Sequence, residues 1–230
     1  MTISVVIPTL NEERALPLTL THTVTLKFDE IIVVDGGSLD RTWEIATAFA
    51  SHTSAMTCLV APAGRACQMN AGARVSRSEV LLFLHADTHL PADARIDIER
   101  SLSVRGCVGG RFDVRFDRTS RLGTVISSMM NIRSRWSGLA TGDQAIFVRR
   151  SVFEELGGFA DIPLMEDLNF SRRLKGHGRV AALRSEVTTS YRRWETYGPV
   201  RTILLMWTLR FLYWIGVSPA RLSRLYAAIR

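Results

Sequence analysis
The stretch Phe83-Leu84-His85-Ala86-Asp87-Thr88-His89 ends an apolar run in a carboxylate flanked by two imidazoles. Val80 to Leu84 reads as a short buried strand, and ligands in open α/β sheets bind outside the carboxyl ends of such strands. A carboxylate there can hold a divalent cation together with phosphate oxygens, although Asp87 could equally cap the helix expected after Pro91. A second acidic pair, Glu166-Asp167, opens a predicted helix. Such a carboxylate can take a proton from an attacking hydroxyl, or simply neutralise the helix N-terminus. Thr9, Glu12 and Asp35 stand at the ends of two further predicted strands, where they can accept hydrogen bonds from a base or a ribose. A turn ahead of Gly36-Gly37 and a helix-dipole contact would use Asp35 and Glu12 in the same places.

The elements that must carry these groups are legible from the apolar pattern. Ile3–Ile7, Glu30–Val34, Met56–Val60 and Val80–Leu84 read as strands. Between them lie predicted helices over Arg14–Thr23, with Asn11 as N-cap, over the segment through Trp43, Ile45 and Phe49, and over Gly64–Val75. Strand and helix alternating at this spacing predict a doubly wound, mostly parallel sheet in one α/β domain. The second half is more mixed. Gly109–Phe116 alternates as a half-exposed antiparallel strand should, and Arg121–Trp136 carries helical spacing. Ala145–Val148 is a short strand, followed by helices from Ser151 to Gly157-Gly158 and from Asp167 to Leu174.

Composition narrows the partners. The 230 residues carry a net charge of +7, 47% apolar residues and 22% charged ones, which describes a globular chain with a surface that attracts anions. The three cysteines form no CxxC pair, arguing against a zinc site or a disulfide framework and for a reducing compartment. Met1 leads directly into a strand with no basic leader, so a cytoplasmic location is expected, with the inner face of a membrane as an alternative. Aromatic residues, at 8%, show no stacking pattern of a single-strand binder, and nucleic acid is not expected as a partner.

Several motifs together carry a resemblance. Val5-Val6-Ile7-Pro8-Thr9-Leu10-Asn11-Glu12, Val33-Val34-Asp35-Gly36-Gly37-Ser38-Leu39-Asp40, His85-Ala86-Asp87, Gly142-Asp143-Gln144, Met165-Glu166-Asp167 and Arg192-Arg193-Trp194 occur in the order of family 2 glycosyltransferases, across residues 3–194. Gly64-Arg65-Ala66-Cys67-Gln68-Met69-Asn70-Ala71-Gly72 resembles a small bacterial branch named for its association with radical-SAM and selenodomain proteins. The resemblance implies the single-domain, Rossmann-like GT-A fold over residues 1–198 and inverting transfer of a sugar from a UDP- or GDP-linked donor to an unidentified acceptor. It places the nucleotide against Pro8, Thr9, Asn11, Glu12, Asp35, Gly36, Arg65, Asn70 and Asp87. Donor sugar and acceptor fall to Gly142, Asp143, Gln144, Arg192, Arg193 and Trp194. The base falls to Asp167, with Glu166 orienting the acceptor and raising the Asp167 pKa.

The chain departs from the family's DxD pattern, because His85 stands at the first carboxylate position. Asp87 then remains as the Mg²⁺ or Mn²⁺ ligand, leaning on the donor's own phosphates, and His89 as a nitrogen ligand would favour Mn²⁺. A sugar nucleotidyltransferase is the alternative enzyme, but the loop Pro8–Glu12 contains none of the glycines that its phosphate loop needs. A non-catalytic nucleotide- or membrane-binding module would leave the ordered carboxylates unexplained. Residues 199–230 read as a helical extension. Its apolar run, Pro199 to Val217, is broken by Arg201 and Arg210 and followed by Arg221, Arg224 and Arg230. Interfacial membrane contact or a second copy of the chain would cover such a helix.

Overall fold
The computed structural model describes every residue except Thr119 and Arg230, and only the backbone of Ala228 and Ile229. Arg230, counted among the basic flank of the extension, therefore lies outside the described residues. The first half runs β1 (Ile3–Thr9), α1 (Leu16–Thr25), β2 (Glu30–Asp35), α2 (Thr42–His52), β3 (Met56–Val60), α3 (Arg65–Val75) and β4 (Val80–Phe83). These four strands pair in parallel in the order β3-β2-β1-β4, with Val6 beside both Ile32 and Phe83. Their apolar runs are continuous because both faces are covered. Ile3, Val5 and Ile7 join a core with Leu16, Leu20 and Ile98, while Val6 turns to Met69, Phe153 and Phe170 on the opposite face.

The chain continues through β5 (Thr88–His89), α4 (Ala94–Leu102), β6 (Cys107–Phe116), α5 (Arg121–Ser137), β7 (Phe147–Arg149), α6 (Arg150–Glu155), α7 (Glu166–His177) and β8 (Arg179–Thr189). One sheet results, in the order β3-β2-β1-β4-β7-β6-β8-β5. Strand β7 is antiparallel to both β4 and β6, β8 runs parallel to β6, and β5 closes the edge antiparallel to β8. The sequence-based expectations for β6 need correction. It is covered on both faces, and its alternate residues Arg111 and Asp113 are only 2% and 9% exposed. They are tolerated because Asp113 bridges Arg111 and Arg135 of α5, so the buried charges are paired. Strand β8 was not anticipated, because Arg184, Ser185 and Glu186 interrupt its apolar pattern.

Asn11 is not the cap of α1, which begins five residues later, at Leu16. It sits instead at φ 54°, donating its N–H to Ser38 Oγ and accepting from the Leu39 N–H, which ties the β1–α1 loop to the β2–α2 loop. The C-terminal extension consists of α8 (Arg192–Tyr197), α9 (Pro199–Trp214) and α10 (Pro219–Ile229). The apolar run divides at Gly216, whose φ of 93° turns the chain between α9 and α10. Leu209 and Leu222 pack on Met165 and Leu168 at the start of α7. Among the described residues no helix is long and apolar enough to cross a membrane.

Candidate active site
A cavity of about 840 Å³ opens at the carboxyl ends of β1 and β4, within the range of ordinary ligand pockets. One wall is the first half of the chain: the loop Pro8–Glu12, Gly64, Arg65 and Gln68 at the start of α3, and His85–Asp87. The other is the second half: the ends of β6 and β8, Asp143, and faces of α5, α8 and α9. Glu12 and Arg192 reach across and meet at 3.2 Å. Burial raises the Glu12 carboxyl above its ordinary range and nearby Asp87 adds to this, while Arg192 and, more weakly, His85 pull the other way.

The loop after β2 is organised from within. Asp35 Oδ2 accepts the N–H groups of Gly37 and Ser38, and Oδ1 accepts the Ser38 hydroxyl. Asp35 is buried, Gly36 abuts Gln68, and neither is among the residues lining the cavity, into which a base was expected to bring them. Their carboxylate and backbone are consumed in holding the loop. Gln68 was quoted in a motif but not picked out as a site residue. Its Nε2 donates to the carbonyls of Thr9 and Val34, fastening the ends of β1 and β2, and its side chain reaches the wall.

The position that departs from the DxD pattern has its own chemistry. His85 Nδ1 lies 3.1 Å from Asp143 Oδ1, and its ring covers Gly142, where any Cβ would sit 2.4 Å from Nε2. Burial opposes ionisation of Asp143, but the His85 hydrogen bond and the charges of His85, Arg193 and Arg65 outweigh it and hold the carboxyl well below the usual range. The Gly142 N–H in turn donates to Asp167 Oδ2 at 2.8 Å. Asp167 is partly exposed, though not itself among the residues lining the cavity, and its charge favours the ionised form of Arg65, Arg133 and Arg210, the last two of which burial lowers overall. Arg65 is solvent-accessible inside the cavity yet ringed by Glu166, Asp143 and Asp167, which hold its proton against the opposing effect of its surroundings.

Four expected site residues serve elsewhere. His89 lies on β5 outside the cavity lining, its ring 5.4 Å from that of His22 on α1. Asn70 is spent on the backbone of Phe159, as donor and acceptor together. Gln144 is buried and closes a capping box with Thr141. Glu166 is 5% exposed and, like Asp167, is not among the residues lining the cavity. Burial first and Asp167 second raise its own carboxyl. Trp194 does reach the cavity, packed 5.7 Å from Phe116 and stacked on Tyr191. Sequence reasoning missed Arg133, and noted Arg210 only as a charge within an apolar run. Both line the wall, and the signal was an arginine one turn after Met129-Met130 and another close to Met206-Trp207.

Among the described residues no three His, Cys, Asp or Glu side chains converge as a ready metal site. Asp87 on the wall, with Glu12 near enough to feel its charge, fits a cation bound through one or two carboxylates and otherwise through ligand phosphates.

The model of "Glycosyl transferase family 2" matches residues 4–157. The chain belongs to glycosyltransferase family 2. Among curated relatives, the "Probable glycosyltransferase YdaM" of Bacillus subtilis is 29% identical over 201 residues, 76% of this chain and 47% of that protein. A "PGL/p-HBAD biosynthesis glycosyltransferase" of Mycobacterium tuberculosis is 30% identical over 172 residues, 68% of this chain and 62% of that one. The family 2 chain thus spans about half the length of the first relative and under two thirds of the second. The fold is that of solved GT-A glycosyltransferases. The mannosyltransferase PcManGT from Pyrobaculum calidifontis, in complex with GDP-Man and Mn²⁺, matches with a TM-score of 0.68 at 17% identity, over 99% of this chain and 69% of that one. S. aureus TarS in complex with UDP-GlcNAc matches with a TM-score of 0.65 at 16% identity, over 83% of this chain and 58% of that one.

Proposed function
We propose that this family 2 enzyme binds a UDP- or GDP-linked sugar in the cavity and transfers the sugar, with inversion, to an acceptor hydroxyl. One observation carries the reading: the cavity at the carboxyl ends of β1 and β4 sets Asp87 among the cavity-lining guanidinium groups of Arg65, Arg192 and Arg193. That is the charge pattern a diphosphate leaving group needs. The acceptor oxygen attacks the anomeric carbon as the bond to the diphosphate breaks. Asp167 takes the acceptor proton, and Gly142, bonded to it, fixes the direction of its free lone pairs. Asp143, kept ionised and held by His85, faces the sugar as a hydrogen-bond acceptor. A divalent cation on Asp87, Mg²⁺ or Mn²⁺, would supply positive charge to the departing diphosphate. The complexes of PcManGT with GDP-Man and Mn²⁺ and of TarS with UDP-GlcNAc support this choice of ligands.

The enzyme works in the cytoplasm in this reading, at the inner face of a membrane or as a dimer, with α9 as the contact surface. It falls within the small bacterial branch that residues 64–72 resemble. A thermal-shift screen of UDP, GDP and their sugars, with and without Mn²⁺, tests the donor. A ligand at a hundred times its dissociation constant adds about 2.7 kcal/mol, and a metal-dependent rise for one nucleotide is expected. No rise with any nucleotide would overturn the proposal.

A further inference from the structure
Arg133 on α5 and Arg210 on α9 face one another across the cavity, and nothing in the donor chemistry uses them. Arg133 buries Nε and Nη2 with no hydrogen-bond partner among the described residues. Arg210 likewise has no hydrogen bond or ion pair there. Burial works against the charge of both guanidiniums, and Arg210 adds to this at Arg133, which is brought down to about 10. Two half-buried cations side by side, one of them with two fully buried donor atoms unpartnered, are an unfinished arrangement. An anion would complete it.

The surroundings say what the anion is attached to. The same walls present Met129, Met130, Met206 and Trp207 to the cavity. Outside it, Met129, Ile132 and Trp136 form an exposed stripe along α5, and Trp207, Phe211 and Trp214 form another along α9. The spacings of three, four and seven residues keep each stripe on one helix face. Met129 and Trp207 belong both to a stripe and to the cavity lining, so each apolar surface runs continuously from the mouth toward the two arginines. Trp136 is 91% exposed and Trp214 79%. Large apolar side chains held in water beside a pocket mark a binding surface.

We propose that the acceptor is an amphipathic phosphate, whose anionic group sits between Arg133 and Arg210 and whose apolar chain leaves between α5 and α9. A phosphate is favoured over a carboxylate by the count of donors. Two guanidinium forks present more N–H groups than two carboxylate oxygens accept, whereas a phosphate monoester offers three terminal oxygens. Asp167 feels both arginines, so the anion is held beside the proposed base. This inference deepens the glycosyl-transfer reading and rests on it for the word acceptor, but the anion site can be tested without a donor.

The probe is n-decyl phosphate below its micelle concentration, titrated by calorimetry into the full chain, alone and with saturating UDP or GDP. Binding is expected in both conditions, weakened at least tenfold by Arg133→Gln and by Arg210→Gln. Both variants should keep the wild-type nucleotide affinity within twofold and an unliganded Tm no lower than wild type, because removing one cation relieves the repulsion. That combination separates a ligand site from a structural role. Failure of nucleotides to bind, with decyl phosphate still bound, would sink the donor reading and leave the anion site standing. Equal affinity in wild type and variants would overturn the site. So would displacement of decyl phosphate by the nucleotide, which would assign the arginines to the donor. Decanoate binding as tightly would overturn the choice of phosphate, and inorganic phosphate binding as tightly would remove the apolar chain. A dimer by light scattering that decyl phosphate leaves intact would give the stripes to a second copy and refute the exit path.

Discussion
Replacing Gly142 with alanine tests the contact that stands where the family pattern has a carboxylate. The new Cβ would lie 2.4 Å from His85 Nε2 and 2.8 Å from its Cε1. Such contacts settle at about 3.5 to 4.0 Å, so the ring must withdraw by roughly 1 Å. It cannot do so freely, because Nδ1 is held 3.1 Å from Asp143 and a bond stretched past about 3.5 Å is lost. Overpacking of this kind costs about 1 to 3 kcal/mol. The broken bond to a charged group would add about 1.5 to 3 kcal/mol if fully buried, and less here because 33% of the Asp143 side chain is exposed. A combined loss of about 2 to 4 kcal/mol lowers Tm by roughly 5 to 15 °C in a domain of this size. Calorimetry of wild type, Gly142→Ala, His85→Ala and the double variant reads it directly. Once His85 is alanine there is room, and Gly142→Ala should then change stability by under about 0.5 kcal/mol. Equal losses in both backgrounds, or none in wild type, would refute the reasoning. The acid limb gives an independent sign. A depressed Asp143 contributes stability that is complete above its ordinary value of 3.8 and lost as pH falls below it, so the variant should lose less than wild type there.

Asp87→Ala should abolish the metal-dependent part of nucleotide affinity, and titrations that remain identical with and without Mn²⁺ in both proteins would remove the cation from that carboxylate. Asp167→Asn should lower turnover by about 10² to 10⁴ with donor affinity little changed; an Asn variant with near-normal turnover in a steady-state assay would place the base elsewhere. Glu166→Gln should raise Tm above neutral pH. The Glu166 carboxyl is raised above 4.5, so the stability it contributes is complete below that pH and drains away as pH rises through its folded value. The gap between variant and wild type in a Tm profile should therefore close toward pH 4, and a gap of constant size would count against a buried acid.

The first half of the fold was readable because its strands are covered on both faces and show unbroken apolar runs. Val5, Val33 and Leu82 could hardly belong to anything else. The second half resisted because its buried strands carry charges that neutralise one another in space. Arg111 beside Asp113 looks like an exposed face until Arg135, at the far end of the helix that follows, completes the set. The same limit applies to the site. Asp87, Glu12, Arg192 and Asp143 were found through motifs and do meet at the cavity, but whether a motif residue faces the ligand or braces its own loop depends on local geometry. Asp35 and Asn70 brace. Arg133 escaped notice because an arginine in an amphipathic helix is ordinary, and only its burial without a partner sets it apart.

Strand β5 is two residues long, yet it decides when the site can exist. It follows Asp87 immediately, and its partners are Thr188 and Thr189 of β8, with Thr88 and Thr189 also joined through their hydroxyls across 101 residues of chain. A chain emerging from the ribosome at about 5 to 20 residues per second carries Asp87 for several seconds or more before β8 arrives to dock beside it. Through that interval the parallel half can collapse on its own apolar runs, with Thr19 and His22 of α1 holding the Ala86 and Leu90 carbonyls on either side of Asp87, but the edge that β8 gives to β5 is still missing. The fold therefore assembles its chemistry last. A chain cut short before β8 would keep the first-half wall and lose both the β8 edge beside Asp87 and the wall that Thr189, Arg192 and Arg193 supply, so damage near the C-terminal third should silence the enzyme outright rather than leave it partly active with a stray, half-formed centre.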